Sequence, residues 1–96
     1  MNLNDVSCLL KTHQDDLRQR GVKSLAVFGS VARGDATETS DVDLLVDFSQ
    51  EVGLFEFIRL KHYLENLIGR KVDLVTKDAL RPALRDSILG EAINVA

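Results

Sequence analysis

Two aspartates one residue apart, Asp41 and Asp43, head an apolar run, "VDLLVDF" (42–48), that reads as a strand. On an extended backbone, residues two apart point to the same side and lie about 7 Å apart. At that separation and an effective dielectric of about 20, two carboxylates repel by roughly 2 kcal/mol, a sizeable share of a small domain's net stability. Either both groups are solvated at the mouth of the strand or a divalent cation sits between them. Mg²⁺ suits the second arrangement, because it takes hard oxygen ligands and is held by one or two carboxylates together with substrate phosphates. Asp47 has the same strand parity and is a substitute ligand, although it lies near the far end of the run.

Upstream, "GSVARGDATETS" (29–40) separates this strand from an earlier apolar run, "VKSLAVF" (22–28). Gly29-Ser30 can open a short helical turn through Arg33, aiming backbone N–H groups and the Ser30 hydroxyl at an anion. Gly29 lets the backbone turn sharply and approach a ligand, and Gly34 adds a second flexible point. The same residues also suit an ordinary strand-to-helix turn, and Arg33 either pairs with phosphate or stays solvated. Two familiar motifs fail. "GSVARGDA" matches a Walker loop at both glycines, but Asp35 stands where the phosphate-binding lysine belongs. A calcium loop starting at Asp41 needs glycine and glutamate where the chain has Val46 and Val52.

The elements that must position these residues follow from periodicity. Val6, Leu9, Leu10 and Leu17 recur at helical spacing, with Asn2 or Asn4 able to start a first helix and Gly21 to end it. Strands are expected over 22–28, 42–48 and 71–75. Between the last two, a helix over 52–68 sets Leu54, Phe57, Ile58, Lys61, Leu64 and Ile68 along one side and stops at Gly69. Pro82 in a first turn and Gly90 beyond the end frame a last helix, and "INV" adds an edge strand. The alternation predicts one compact α/β domain over residues 1–96.

Composition narrows the function classes. The chain has 45% hydrophobic and 28% charged residues, the balance of a globular domain, and no apolar run of bilayer length. A net charge of -3 argues against a broad nucleic-acid footprint. The polar amino terminus lacks a secretory pattern, and a single cysteine, Cys8, suits a reducing compartment, so a cytoplasmic protein is expected. Cys8 is expected to pack in the core. His13, His62 and Tyr63 are assigned no role, and Arg70-Lys71 are read as capping the carbonyls that end the preceding helix.

Gly29-Ser30, ten intervening residues and Asp41-Val42-Asp43, with Asp73 in "KVDLV" (71–75), resemble the signature of nucleotidyltransferases of the DNA polymerase β superfamily. "VFGSVARGDATETSDVDLLV" (27–46) is most similar to the minimal nucleotidyltransferases, often the antitoxins of helical HEPN-type toxins. The resemblance implies a mixed sheet flanked by helices, an α+β palm-like fold rather than a doubly wound parallel one. It implies that Asp41, Asp43 and Asp73 bind one or two Mg²⁺ ions, that Gly29, Ser30 and Arg33 bind the nucleotide, and that Asp73 is either a metal ligand or the base. The expected reaction moves AMP from ATP to a protein hydroxyl, plausibly a tyrosine of the HEPN toxin. The alternative is a non-catalytic module that neutralises a toxin by contact; assembly with copies of itself stays open.

Overall fold

The computed structural model describes residues 2–37 and 39–96. Asn2 caps the first helix, α1 (Leu3–Thr12): its side chain accepts the Asp5 amide at 2.9 Å, while the Asp5 carboxylate accepts the Asn2 amide at 3.2 Å. This reciprocal pair satisfies two of the donors that a helix start leaves without partners. The helix expected to run unbroken to Gly21 instead stops at His13 and resumes as α2 (Gln14–Gln19). His13 Nδ1 lies 2.9 Å from the Leu9 carbonyl oxygen, and such a local side-chain bond competes with the helical ladder. Cys8, expected in the core, is exposed. Two residues after the buried Val6, it lies about 200° round the helix and faces away.

Four strands form one sheet in the order β3-β2-β1-β4, where β1 is Val22–Phe28, β2 Val42–Phe48, β3 Val72–Thr76 and β4 Ile93–Asn94. β1 pairs antiparallel with both β2 and β4, while β2 and β3 run parallel. The parallel pair requires a crossover, supplied by α4 (Leu54–Ile68). The sheet is therefore mixed and carries helices, as the resemblance implied.

Strand parity divides the residues between two faces. Leu25, Val27, Val42, Leu44, Val46, Val72 and Leu74 join the helical residues Val6, Leu10, Leu17, Leu60, Leu64 and Ile68 in one core cluster. The other face carries Phe28 opposite Asp43, and Ala26 opposite Leu45. Phe28 and Leu45 are buried but stand outside that cluster. Asp43 thus rises from a second, shallower apolar floor.

Two helices depart from expectation. In α4 the stripe Phe57, Leu60, Leu64 and Ile68 turns to the core, leaving Leu54 and Ile58 exposed. The last helix, α5 (Pro82–Glu91), begins at its proline as expected but contains Gly90 and ends at Ala92, whose amide donates to the Ile88 carbonyl at 2.9 Å. Among the described residues, no helix is long and apolar enough to cross a membrane.

Candidate nucleotide and metal site

Parallel pairing of β2 and β3 sets Asp43 directly beside Asp73, on strands whose spacing is about 4.8 Å. Asp41 stands exposed on the residue before β2, where the Val42 amide donates to the Lys71 carbonyl at 2.9 Å and fixes the strand entry. Burial pushes the Asp43 carboxyl above the usual carboxylate range; the charges of Asp73 and Asp41 push it further, Arg33 opposes them, and Glu91 adds a smaller upward push. Among the described residues, no three acidic, histidine or cysteine side chains converge into a ready-made metal cage. The three carboxylates are instead neighbours that feel one another's charge. Their donor set is all hard oxygen, and the cation acting on Asp43 is the Arg33 guanidinium. That chemistry fits Mg²⁺.

Across the sheet, β1 leads straight into α3 (Gly29–Arg33), and Gly34 closes that turn with φ +81°. Gly29 has φ +70°, and a Cβ at this position would collide with an Asp43 carboxylate oxygen. Glycine is therefore required twice over, by backbone conformation and by the closeness of the Gly-Ser turn to the carboxylate. The Ser30 hydroxyl has no partner among the described residues. Arg33 Nε lies 3.4 Å from Asp35 Oδ2, and Nη1 lies 3.4 Å from both Glu91 carboxylate oxygens.

Glu91 was not picked out by the sequence. It accepts the Gly29 amide at 2.9 Å, so the amide and the guanidinium expected to face phosphate together hold an anion already, a carboxylate 62 positions away. No local motif marks it, because its role depends on α5 returning to the Gly-Ser turn. The loop before Asp41 is tied down as well. The Thr37 amide donates to Ser40 Oγ at 2.9 Å, and Arg70 Nη1 donates to the Thr37 carbonyl at 3.0 Å. Arg70 thus braces this loop, beyond the helix-capping part read for it.

The remaining sequence candidates lie apart. Asp47 shares the parity of Asp43, but it is four residues further along β2 and stands 3.8 Å from Lys77 Nζ. Tyr63 donates to Asp16 at 3.3 Å beneath the Arg20 guanidinium, 4.1 Å from the ring centre, which joins α4 to α2. A cleft of about 570 Å³ opens between β2, α4 and Lys77, at the end of β2 opposite the carboxylates.

The chain is similar to known proteins along nearly its whole length. The family described as "Nucleotidyltransferase domain" matches residues 10–95. A protein adenylyltransferase, MntA of Thermococcus cleftensis, is 44% identical over 96 residues, covering 99% of this chain and 97% of that protein. A solved chain provisionally named a minimal nucleotidyltransferase superposes with a TM-score of 0.83 at 42% identity, over 97% of this chain and 95% of that one. At 16% identity, fold alone is shared with the Shewanella oneidensis complex of a tri-AMPylated HEPN toxin and MNT antitoxin, TM-score 0.69 over 95% and 71% of the two chains. With its Gly-Ser turn laid against paired carboxylates and these relatives spanning nearly its whole length, the chain belongs to the nucleotidyltransferase family as a homologue of the MntA protein adenylyltransferase.

Proposed function

We infer that this enzyme transfers AMP from ATP to a tyrosine hydroxyl of a HEPN-type toxin and acts as that toxin's antitoxin. One observation carries the reading: Asp43 and Asp73 stand side by side in register, with Asp41 beside them and a glycine turn that only a missing Cβ allows against Asp43. The name of the MntA relative and the AMPylated toxin of the complex support the same transfer.

Asp41, Asp43 and Asp73 would hold Mg²⁺. When bound, the ion neutralises charge on the triphosphate and lowers the pKa of the attacking hydroxyl. The chain's own groups do the rest. The Gly29 amide and Arg33 already grip a carboxylate, Glu91, and the same donors suit a phosphate oxygen, with the Ser30 hydroxyl, which has no partner among the described residues, as a third. In the transfer, the acceptor oxygen bonds to the α-phosphorus, the bond to the bridging oxygen breaks, and pyrophosphate leaves with that electron pair. The hydroxyl proton passes to solvent or, where Asp41 and Asp43 alone hold the ion, to the exposed Asp73 carboxylate. The described elements are consumed by the sheet, its helices and the site, so the acceptor's binding wall comes from the partner, which gains the advantage of positioning.

Calorimetry of ATP binding in the presence of Mg²⁺ tests the cradle. Ser30→Ala should weaken binding by roughly 1 to 2 kcal/mol, the scale of a charge-assisted hydrogen bond, with little change in melting. Unchanged affinity would remove Ser30 from the nucleotide site.

A further inference from the structure

Glu91 sits where a phosphate is expected. It accepts the Gly29 amide at 2.9 Å, and both of its carboxylate oxygens lie 3.4 Å from Arg33 Nη1. A backbone amide carries one hydrogen and makes one well-directed bond. A phosphate oxygen bound to the Gly29 amide therefore takes the place of the Glu91 carboxylate rather than joining it, and like charge opposes sharing Arg33 at such close range.

Gly29 ties this contact to the carboxylate site. A Cβ there would collide with an Asp43 carboxylate oxygen, so Asp43 lies against the Gly29 Cα while Glu91 lies against its nitrogen. The charge of Glu91 also reaches Asp43, whose pKa it helps to raise. A nucleotide tail running from an ion at Asp43 to the Gly-Ser turn thus ends on the Glu91 carboxylate. The α-phosphorus must stay open to the acceptor oxygen, so a closed backbone turn suits the two phosphates that leave.

Displacing Glu91 disturbs little else. None of the residues of α5 is buried, and among the described residues Glu91 makes the only side-chain hydrogen bonds from α5 to the rest of the protein. β4 is held independently, by pairing with Ala26 and Val27 and by the Val95 amide, which donates to the Leu25 carbonyl at 2.9 Å while the Val95 side chain joins the core. The Glu91 side chain is 30% exposed and has solvent to turn into.

We propose that Glu91 is a resident competitor for the polyphosphate tail of the nucleotide: it holds the Gly29 amide and Arg33 until ATP displaces it, and takes them back as pyrophosphate leaves. The proposal rests on the reading of the Gly-Ser turn as the phosphate cradle, and adds a residue that sets affinity for substrate and product.

Glu91→Gln keeps the shape of the side chain and an oxygen for the Gly29 amide but removes the charge. By calorimetry with Mg²⁺, this variant should bind ATP and pyrophosphate about fivefold tighter or more, the scale of a weakened charge-assisted bond, while AMP, which lacks the tail, stays within about twofold of wild type. Glu91→Ala should tighten ATP binding as well. In the wild-type protein, saturation with ATP should move the carboxyl carbon resonance of Glu91 to that of a solvated glutamate, a measurement that needs no substitution and decides even if both variants unfold. A smaller gain for ATP or pyrophosphate, an equal gain for AMP, or a Glu91 resonance that ATP leaves in place would overturn the proposal. So would weaker ATP binding by Glu91→Ala in a folded protein, the result expected if Glu91 merely holds the turn in shape. Arg33→Met and Ser30→Ala keep the two ideas apart, since each should weaken ATP binding. If neither does, the cradle reading fails and the proposal with it; if both do while Glu91→Gln gains nothing, the proposal alone fails.

Discussion

At the scale of single residues, the closest constraint is between Gly29 and Asp43. Gly29 and Gly34 both adopt positive φ, but a Cβ on Gly34 meets open space, whereas one on Gly29 meets the Asp43 carboxylate. Gly34→Ala should cost only the left-handed backbone strain, about 1 to 2 kcal/mol. Gly29→Ala should cost more, and it should also abolish transfer by displacing the carboxylate. Equal destabilisation of the two, read from denaturant midpoints, would mean that the Gly29 contact is not a constraint. Asp43 itself is held ionised at a cost: its folded pKa is raised, first by burial and then by Asp73 and Asp41. The folded state therefore binds that proton more tightly than the unfolded chain. This favours folding at acid pH and is lost as pH rises through the carboxylate range. Asp43→Asn should consequently melt higher than wild type at neutral pH, with the advantage disappearing below about pH 4, the ordinary carboxylate range. Added Mg²⁺ should raise the melting temperature of wild type but not of this variant. A variant that gains nothing at neutral pH would contradict the charge crowding argued for the site.

At the scale of elements, the sequence disclosed the alternation of strands and helices because each strand is a short apolar run between glycines or polar loops. The signature was legible for a related reason: Gly29-Ser30 and Asp41-Val42-Asp43 lie on either side of one local turn, so spacing along the chain stands for distance in space. The break at His13 was not legible, since it is accompanied only by local side-chain bonds to the Cys8 and Leu9 carbonyls within an otherwise continuous helical pattern. Neither was the rotation of α4, where an apolar count cannot tell which of Leu54, Ile58 and Leu60 meets the sheet. Glu91 was hidden because it meets Gly29 only after the chain has crossed the fold. Two substitutions measure what holds the elements. Asn2→Ala removes the side-chain half of the α1 cap and should cost about 1 kcal/mol. Leu64→Ala empties a fully buried position in the α4 face and should cost about 2 to 5 kcal/mol. Similar small losses from both would mean that α4 is not seated on the core as described.

At the scale of the whole molecule, one face of the sheet packs against helices and the other carries the candidate site. The helices α1, α2 and α4 bury their apolar side chains against Leu44, Val46 and their neighbours. The opposite face presents Asp43 and Asp73 above Phe28 and Leu45. This division lets the acids crowd one another without dissolving the core, and it leaves the acceptor to be brought by another protein. The most direct test is to incubate the protein with the toxin from its neighbouring reading frame, ATP and Mg²⁺, and to weigh the intact toxin by mass spectrometry. The account predicts that the toxin gains one or more AMP groups and loses activity with the wild-type protein, and gains none with Asp41→Asn or Asp43→Asn. A toxin that stays unmodified, yet is silenced equally by wild type and by both variants, would contradict it and leave a protein that acts by contact alone.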